Sequence, residues 1–301
     1  MPAAAIRDAT PDDLPALRAL FRRANDAPYD LERVAEEKCF GDGIAGAPVA
    51  RMYDDVGVAV TCGKWLRILA VDRDARRRGI GSALLADAES RGAHVVFAEP
   101  GNYFTPGVLA SDEGTLAFFR AHGYRETSET WNLETHIRNP VIPSVVEGPG
   151  WAGGAIRVPP THPGPSTTLG MTKLEPRTSN FNRELASFIE RHFGAIWRFE
   201  SSRAHAIYTT EENGAITGFA AIEANNRGLG TFGPTGVAKS HRGKGLGTAL
   251  LDAALAGLHD LGYTRVTIPW TDALDFYRKA CGAEAEYRFL AMTKHSDETH
   301  A

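Results

Sequence analysis

One stretch of this sequence occurs twice. Residues 71–85 and residues 237–251 align without a gap, 166 positions apart, and both follow the pattern Val-x4-Arg-x-x-Gly-x-Gly-(Ser/Thr)-Ala-Leu-Leu. Self-similarity at a fixed spacing indicates repeated structural units, and overlooking it leads to a wrong fold. The sequence therefore predicts two related domains in one chain.

Each copy consists of a predicted strand that ends at valine, a loop of basic residues and glycine, and an apolar helix. The glycine pairs, Gly79 with Gly81 and Gly245 with Gly247, allow a tight turn and a close approach of the backbone to a ligand. The helix that follows begins with free N–H groups and the positive end of its dipole, which together attract anions. Each loop therefore predicts a site for a pyrophosphate group.

Basic side chains in both loops would add mobile positive charge at the rim of each site. They are Arg76, Arg77 and Arg78 in the first copy, and Lys239, Arg242 and Lys244 in the second. The alternative interpretation of the first run is a solvated surface segment, which the glycine spacing disfavours. Neither Gly-x4-Gly-Lys-(Ser/Thr) nor Gly-x-Gly-x-x-Gly occurs in the loops, which excludes a mononucleotide P-loop and a dinucleotide fingerprint.

The repeated loop resembles the acyl-CoA loop of the GNAT superfamily of N-acyltransferases, whose signature is (Gln/Arg)-x-x-Gly-x-(Gly/Ala). The matching residues are Arg76, Gly79 and Gly81 in the first copy, and Arg242, Gly245 and Gly247 in the second. The resemblance covers nearly all of the chain outside 138–171. It implies an α/β (α+β) fold of two GNAT-like domains, each a mixed, mostly antiparallel sheet with a splayed central pair of parallel strands flanked by helices.

The resemblance also implies that acetyl-CoA is the cofactor and that the loops bind it. The implied binding residues are Val71, Arg76, Arg77, Arg78, Gly79, Ile80, Gly81 and Ser82 in the first half, and Val237, Arg242, Gly243, Lys244, Gly245, Leu246, Gly247 and Thr248 in the second.

The composition changes sharply between residues 138 and 171, where prolines and glycines replace core residues. This predicts an N-terminal domain over 1–137, a Pro/Gly-rich linker over 138–171 and a C-terminal domain over 172–301.

In the first half, hairpin strands are expected at Val49–Tyr53 and Val56–Cys62, further strands at Trp65–Val71 and Val95–Ala98, and helices at Ser82–Ser90 and Thr115–His122. In the second half, one helix is expected after Asn180, and Tyr287–Met292 is expected to close the sheet.

The composition limits the possible partners and compartment. A net charge of −4 gives no global basic field, so neither nucleic acid nor an anionic membrane is expected as a partner. Three cysteines lie far apart without a Cys-x-x-Cys pair, which argues against a disulfide framework or a zinc site and favours a reducing cytoplasm. No run of 18 apolar residues occurs, so neither a signal peptide nor a membrane span is expected.

Two features of the predicted strands and loops stand out. Pro234 falls within the predicted strand 230–237, where proline normally breaks the ladder; the resemblance implies a bulge and a splayed strand there, which tolerate it. The long loop from Glu99 to Gly114 carries Tyr103 and Phe104 between Pro-Gly pairs. Such a loop is expected to be functional, either as a wall of the substrate site or as a contact between domains.

The resemblance implies a tyrosine that protonates the departing thiolate, in an Ala-x-x-(Phe/Leu)-Tyr-x-x-x-Gly-like run. Ala273, Phe276 and Tyr277 match this run, with Gly282 one residue later than usual. The alternative is that Tyr277 is only a packed helix residue. The first half has Phe119 at this position, and phenylalanine cannot donate a proton. We therefore expect unequal halves: in the first, another group such as Tyr103 serves, or the half binds without catalysing.

A general base is harder to assign. Glu223 at a strand end is the best placed carboxylate of the second half, and Glu99 has a similar position in the first; both have the alternative of being ordinary surface residues. A water chain could replace either of them. His241 is better interpreted as a phosphate-side or solvent residue than as a base.

Together these features predict an N-acetyltransferase that transfers an acetyl group directly from acetyl-CoA to an amine, with the second half as the catalytic one. The acceptor, a small molecule or a peptide, is not encoded in any motif. The chain would be a monomer with pseudo-dimeric halves or a homodimer. The alternative is a CoA-binding module in which one or both halves bind without catalysing.

Overall fold

The computed structural model describes residues 6–137, here the first half, and residues 176–294, the second half. The predicted linker 138–171 lies outside the described residues, so the domain boundaries stay a prediction. The strands of the first half are β1 (Ile6–Asp8), β2 (Val49–Tyr53), β3 (Gly57–Cys62), β4 (Trp65–Val71), β5 (Val95–Val96), β6 (Val108–Leu109) and β7 (Arg125–His136). Its helices are α1 (Leu14–Ala24), α2 (Ala35–Phe40), α3 (Ile80–Ser90) and α4 (Glu113–Ala121).

The second half repeats this order of elements. Its strands are β8 (Arg177–Ser179), β9 (Ala206–Glu212), β10 (Ala215–Ile222), β11 (Phe232–Val237), β12 (Arg265–Thr271) and β13 (Glu284–Thr293). Its helices are α5 (Arg183–Phe193), α6 (Ala195–Ser201), α7 (Leu246–Asp260) and α8 (Leu274–Cys281). The predicted mixed α/β architecture of two GNAT domains is confirmed.

The last strands of the two halves are exchanged. In the nine-stranded sheet the order is β1-β2-β3-β4-β5-β13-β7-β12, with β6 also paired to β13. Thus β13, from the second half, lies between β5 and β7 of the first half, while β7 pairs on its other side with β12 of the second half. Tyr287–Met292 is expected to close the sheet of its own half, but the observed strand instead pairs with β5 and β7 of the first half.

The remaining strands of the second half form a sheet of the order β11-β10-β9-β8. A single parallel bridge between Thr231 and Thr267 brings it to the edge of β12. In the first half, one buried core packs under α1 and α2 and a second packs under α3 and α4, on the two faces of the sheet. The second half is built in the same way, with one core under α7 and α8 and another under α5.

Local elements differ from the sequence expectations mainly at their ends. The hairpin of β2 and β3 and the bounds of β4 are as predicted, whereas β5 is shorter than the predicted Val95–Ala98. The helix expected after Asn180 is divided into α5 and α6 at Gly194, whose φ of 96° lies in the left-handed region. Glycine adopts that conformation without steric cost, so it ends one helix and begins the next.

We expect the first half to need β13 for folding. Residues 1–171 alone lack β12 and β13, which would leave β5 unpaired on one side and β7 on both, and would remove Phe289 and Met292, both fully buried. Residues 1–171 expressed alone should therefore lack cooperative thermal unfolding, and coexpression with 172–301 should restore it. A sharp, native-like transition for 1–171 alone would contradict the importance of the exchange.

Candidate functional site

The two repeated loops have nearly the same backbone geometry. Gly79 and Gly245, with φ of 81° and 80°, lie directly before α3 and α7 in the left-handed region. A short 3-10 turn precedes each loop, over Arg73–Ala75 and Lys239–His241. Both loops therefore present the free N–H groups of a helix N-terminus, which is the geometry that binds anions.

The signature arginines stabilise the loops. The Nε of Arg76 donates to the carbonyl oxygen of Val71 over 3.1 Å, and the Nε of Arg242 donates to that of Val237 over the same distance. Arg76 also forms an ion pair of 2.6 Å with Asp26. The first role of each signature arginine is thus to fix the loop to the end of the preceding strand.

The first half contains the expected gap between parallel strands. Strands β4 and β5 pair only at Trp65 with Val95 and at Leu66 with Val96, and beyond these residues they separate. The pairing of β3 with β4 also shifts register there, which leaves Arg67 in a bulge. Arg67 is fully buried and binds Glu99, also fully buried, through two hydrogen bonds of 2.5 and 2.9 Å. Glu99 is therefore the partner of a buried cation.

A cavity of about 710 Å³ fills this gap. Of the residues predicted to bind the cofactor or substrate, it is lined by Val71, Arg76, Arg77, Gly79, Ile80, Gly81, Ser82 and Phe104. Arg78 and Tyr103 do not line it; the guanidinium of Arg78 donates to the carbonyl oxygen of Asp74. Its size is within the usual range of small-molecule and cofactor sites. The glycine loop of the first half therefore forms one wall of the cavity, and the role of its residues in cofactor binding stays a prediction.

Aromatic rings and one histidine complete the wall opposite the loop. Phe118 and Phe119 on α4 line the cavity, and a Cβ at Gly81 would lie 3.5 Å from the Phe118 ring. His122 lines it too: its Nε2 is 3.0 Å from Ser82 Oγ, while its Nδ1 contacts the Phe118 carbonyl oxygen. His122 was missed by sequence reasoning, although aligning α4 with α8 puts Ala280 at the same position and marks the histidine as a difference between the halves.

The second half has the same glycine loop, but the residues around the loop differ from those in the first half. Pairing of β10 with β11 shifts register around Gly233 and Pro234, which confirms the bulge expected at Pro234. A Cβ at Gly247 would lie 3.5 Å from Phe276, as at Gly81 and Phe118. A depression of about 270 Å³ is lined by residues 272–276 and Arg278, but not by the glycine loop.

Tyr277 is 6% exposed on α8. Its ring packs edge-on against Phe232 and Phe276, with centroid distances of 6.0 and 4.9 Å. Burial raises the pKa of the phenol above its ordinary value, so the hydroxyl is protonated at neutral pH. This protonation state suits a proton donor, and its catalytic role stays a prediction.

Glu223 is 4% exposed and holds the loop that follows β10. Its carboxylate accepts from the backbone N–H of Thr231 over 2.8 Å, from the backbone N–H of Gly228, and from the Tyr263 hydroxyl over 3.1 Å. These contacts occupy both oxygens and do not support the predicted role as a general base. His241, expected to be a solvent or phosphate-side residue, contacts Glu212 over 3.0 Å.

The long loop that carries Tyr103 and Phe104 is a contact between the halves. The side-chain amides of Asn225 and Asn226 donate to the carbonyl oxygens of Tyr103 and Phe104 over 2.9 and 3.0 Å. The Tyr103 ring also packs edge-on against Trp270, 4.8 Å between centroids. Of the two interpretations left open for this loop, the contact between halves is therefore confirmed, and Phe104 also faces the cavity.

A buried group of charges underlies this contact. Lys38, fully buried, donates to Glu37, Asn102 and Asn225 over 2.8, 2.9 and 2.6 Å. Glu37 in turn accepts from the backbone N–H groups of Asn226 and Arg227. Sequence reasoning missed this cluster because no local pattern distinguishes Lys38 from a surface lysine on a short helix.

No helix in 6–137 or 176–294 is both long enough and apolar enough to span a membrane. Within the same ranges, no group of three or more His, Cys, Asp and Glu side chains could hold a metal ion.

Comparison with known families agrees with this geometry. The profile of the Acetyltransferase (GNAT) family matches residues 172–283, and that of the Acetyltransferase (GNAT) domain matches residues 33–126. The chain belongs to the GNAT acetyltransferase family and is a tandem member, with one GNAT domain in each half. No curated protein matches the sequence.

Several solved structures share the fold. A tandem GNAT protein from the clavulanic acid biosynthesis pathway is 18% identical, with a TM-score of 0.61 over 96% of this chain and 97% of its own. A GCN5-related N-acetyltransferase from Sphaerobacter thermophilus is 18% identical, with a TM-score of 0.59 over 96% and 94%. The glucosamine N-acetyltransferase region of a fungal multi-domain β-N-acetylglucosaminidase is 17% identical, with a TM-score of 0.66; the match covers 97% of this chain but 38% of the fungal one. At these identities the likeness concerns the fold.

Glu200 on α6 is buried near the charged groups at the contact between the halves. Burial, opposed by the nearby Lys38 and Arg203 charges and reinforced by Glu37, raises the pKa of Glu200 from 4.5 to about 7. The folded protein therefore retains a proton that the unfolded chain loses. The stabilisation from this proton is complete below about pH 4.5 and is lost as the pH rises to about 7.

Replacing Glu200 with Gln should therefore make the protein progressively more stable than the wild type as the pH rises from 4.5 to 8. The gain should be on the order of 3 kcal/mol, since each pKa unit corresponds to about 1.4 kcal/mol. Urea denaturation across this pH range measures it. Glu190→Gln on α5, at a side chain 53% exposed, is the matched control and should change stability by less than about 1 kcal/mol. A constant difference between Glu200→Gln and the wild type would contradict the prediction.

Proposed function

We propose that the protein is an N-acetyltransferase that transfers the acetyl group of acetyl-CoA directly to an amine. The observation that carries this proposal is the pair of equivalent glycine loops, with φ of 81° at Gly79 and 80° at Gly245, each directly before a helix. In the first half the loop borders the cavity between the separating strands β4 and β5. A pyrophosphate at the N-terminus of α3 would direct the rest of the cofactor into this gap, where β4 is no longer paired with β5 beyond Leu66 and its backbone N–H groups would face the ligand.

The chemistry requires little from side chains. The amine nitrogen attacks the thioester carbonyl carbon, the new C–N bond forms, and the C–S bond breaks as the thiolate leaves. Backbone N–H donors stabilise the oxyanion, and a neutral phenol protonates the sulfur. In the second half Tyr277 would supply that proton; the ammonium proton would leave through water, because the carboxylate of Glu223 is engaged in its own loop.

The two halves would then have different roles. The second half carries Tyr277, and this residue is the reason to assign catalysis to that half. The first half has the large cavity but Phe119 at the equivalent position, which favours binding without transfer as a second candidate function for this half. Both interpretations predict that CoA thioesters bind to the chain.

The loops offer matched variants to test this proposal. Gly79 and Gly245 have φ of 81° and 80°, which a β-branched residue adopts only under strain, and a Cβ at either position would meet no heavy atom within 4 Å. We expect calorimetry to give two acetyl-CoA sites for the wild type and one for each of Gly79→Val and Gly245→Val. We expect acetyl transfer to a panel of amines, followed by thiol release, to be lost in Gly245→Val alone. If acetyl-CoA fails to bind the wild type, the proposed function is wrong.

Tyr277→Phe tests the proton donor. Removing the hydroxyl should lower kcat by roughly 10²–10⁴-fold, the usual contribution of acid–base catalysis, with the affinity for acetyl-CoA nearly unchanged. Tyr208→Phe removes a half-buried phenol elsewhere in the same half and should leave kcat as in the wild type. An unchanged kcat in Tyr277→Phe would remove this residue from the mechanism.

A further inference from the structure

Two polar side chains of the first half meet beside the glycine loop. Ser82 is the third residue of α3, and His122 directly follows the last turn of α4. Both line the cavity, and the Nε2 of His122 lies 3.0 Å from the Oγ of Ser82. We propose that this pair couples the binding of the cofactor pyrophosphate in the first half to the uptake of one proton by His122. This coupling rests on the proposed binding of a CoA thioester at the loop and goes beyond it by naming the group that regulates the site.

The contacts of His122 determine which ring nitrogen carries the hydrogen when the imidazole is neutral. Its Nδ1 lies 2.8 Å from the carbonyl oxygen of Phe118, and a carbonyl oxygen only accepts hydrogen bonds. Nδ1 is therefore the donor, which leaves Nε2 as an acceptor. The Ser82 hydroxyl must then donate to Nε2, so its one hydrogen is not available to an anion at the loop.

A pyrophosphate at the loop would favour the opposite arrangement. The backbone N–H of Ala83 donates to the carbonyl oxygen of Gly79 over 2.9 Å, and the N–H groups before it form the first turn of α3, which faces an anion. The Ser82 oxygen belongs to this turn, but it offers a phosphate only lone pairs while it donates to a neutral His122. Once a proton from solvent binds Nε2, the imidazolium donates to the Ser82 oxygen. The hydroxyl hydrogen is then free for a phosphate oxygen, with a positive charge behind it.

The affinity of the first-half loop would therefore depend on pH. Because the bound state holds one proton more than the free state, affinity is highest at low pH and falls as the pH rises. Histidine side chains usually lose their proton between pH 5 and 8, so the change falls in the physiological range. The second half has Thr248 and Ala280 at the positions of Ser82 and His122, and alanine binds no proton. The two loops would then bind CoA over different pH ranges.

The charged groups on the elements around His122 have partners of their own. The ion pairs are Glu89 of α3 with Lys294 of β13, Arg120 of α4 with Glu126 of β7, and Arg76 of the glycine loop with Asp26. Asp112 at the start of α4 accepts from the backbone N–H of Thr115 over 3.0 Å. Arg77, which lines the cavity, adds positive charge that favours an anion. Since these carboxylates are engaged by protein groups, a bound phosphate is the anion that a charged imidazole would serve.

The test is the pH dependence of acetyl-CoA binding, measured by calorimetry on Gly245→Val, which isolates the first-half loop. His122→Ala and Ser82→Ala are each added to this background, and Kd is determined between pH 6 and pH 8. The 3′-phosphate of the ligand also ionises in this range, with a pKa of about 6 as in other phosphate monoesters, but it contributes equally to all three proteins. We expect the rise in Kd over this range to be at least about fivefold larger with His122 and Ser82 in place than in either variant.

His94→Ala is the matched control. The Nδ1 of His94 also lies close to a carbonyl oxygen, 2.9 Å from that of Gly92, but His94 does not line the cavity. This variant should leave the pH profile unchanged. Equal profiles with and without His122 would overturn the inference, whereas failure of acetyl-CoA to bind at any pH would overturn the proposed function instead.

Proton uptake measured on the wild type decides the question should a variant not fold. Calorimetry in two buffers that differ in their ionisation enthalpy counts the protons taken up when acetyl-CoA binds. At pH 7.5 the 3′-phosphate of the ligand is already ionised, so uptake must come from the protein. We expect a net uptake approaching one proton, and a count of zero would overturn the inference.

Discussion

The structure depends on the antiparallel pairing of β7 with β13. The two strands pair from Arg125 with Thr293 to Glu134 with Glu284. On its other side, β7 of the first half pairs with β12 of the second half, and β13 of the second half pairs with β5 of the first. Backbone hydrogen bonds of a central strand cannot be left unmade in a buried sheet. Neither half can therefore complete its sheet alone, and the two GNAT domains form one structural unit in spite of their separate loops.

On this shared framework the two halves differ in the residues that surround their glycine loops. The loops are equivalent down to the φ of Gly79 and Gly245. Yet the bulge of β4 carries Arg67 paired with Glu99, whereas the bulge of β11 falls at Gly233 and Pro234. The buried cluster around Lys38 and Glu37 then fixes the long loop of the first half against the second half. The cavity of about 710 Å³ lies in the half that has Phe119 at the position equivalent to Tyr277.

Local patterns were enough to predict most of the elements near the site. Turn and strand signals gave the hairpin of β2 and β3 and the bounds of β4, because these depend on neighbouring residues. The roles of individual polar residues were less predictable. The position of Glu223 at the end of a strand predicts a general base, but its carboxylate is bound by Gly228, Thr231 and Tyr263. Such contacts depend on how the loop folds back, which sequence spacing does not specify.

The sequence by itself determined that there are two GNAT domains and where the glycine loops before α3 and α7 lie, since glycine spacing and helix signals are properties of contiguous residues. Only the tertiary structure decided which strands complete which sheet, that Tyr103 and Phe104 contact the other half, and that Phe289 lines the first-half cavity. Those features join residues more than 120 positions apart, such as Asn225 and Tyr103. A strand's alternating pattern shows that it is paired, but it does not identify the partner strand.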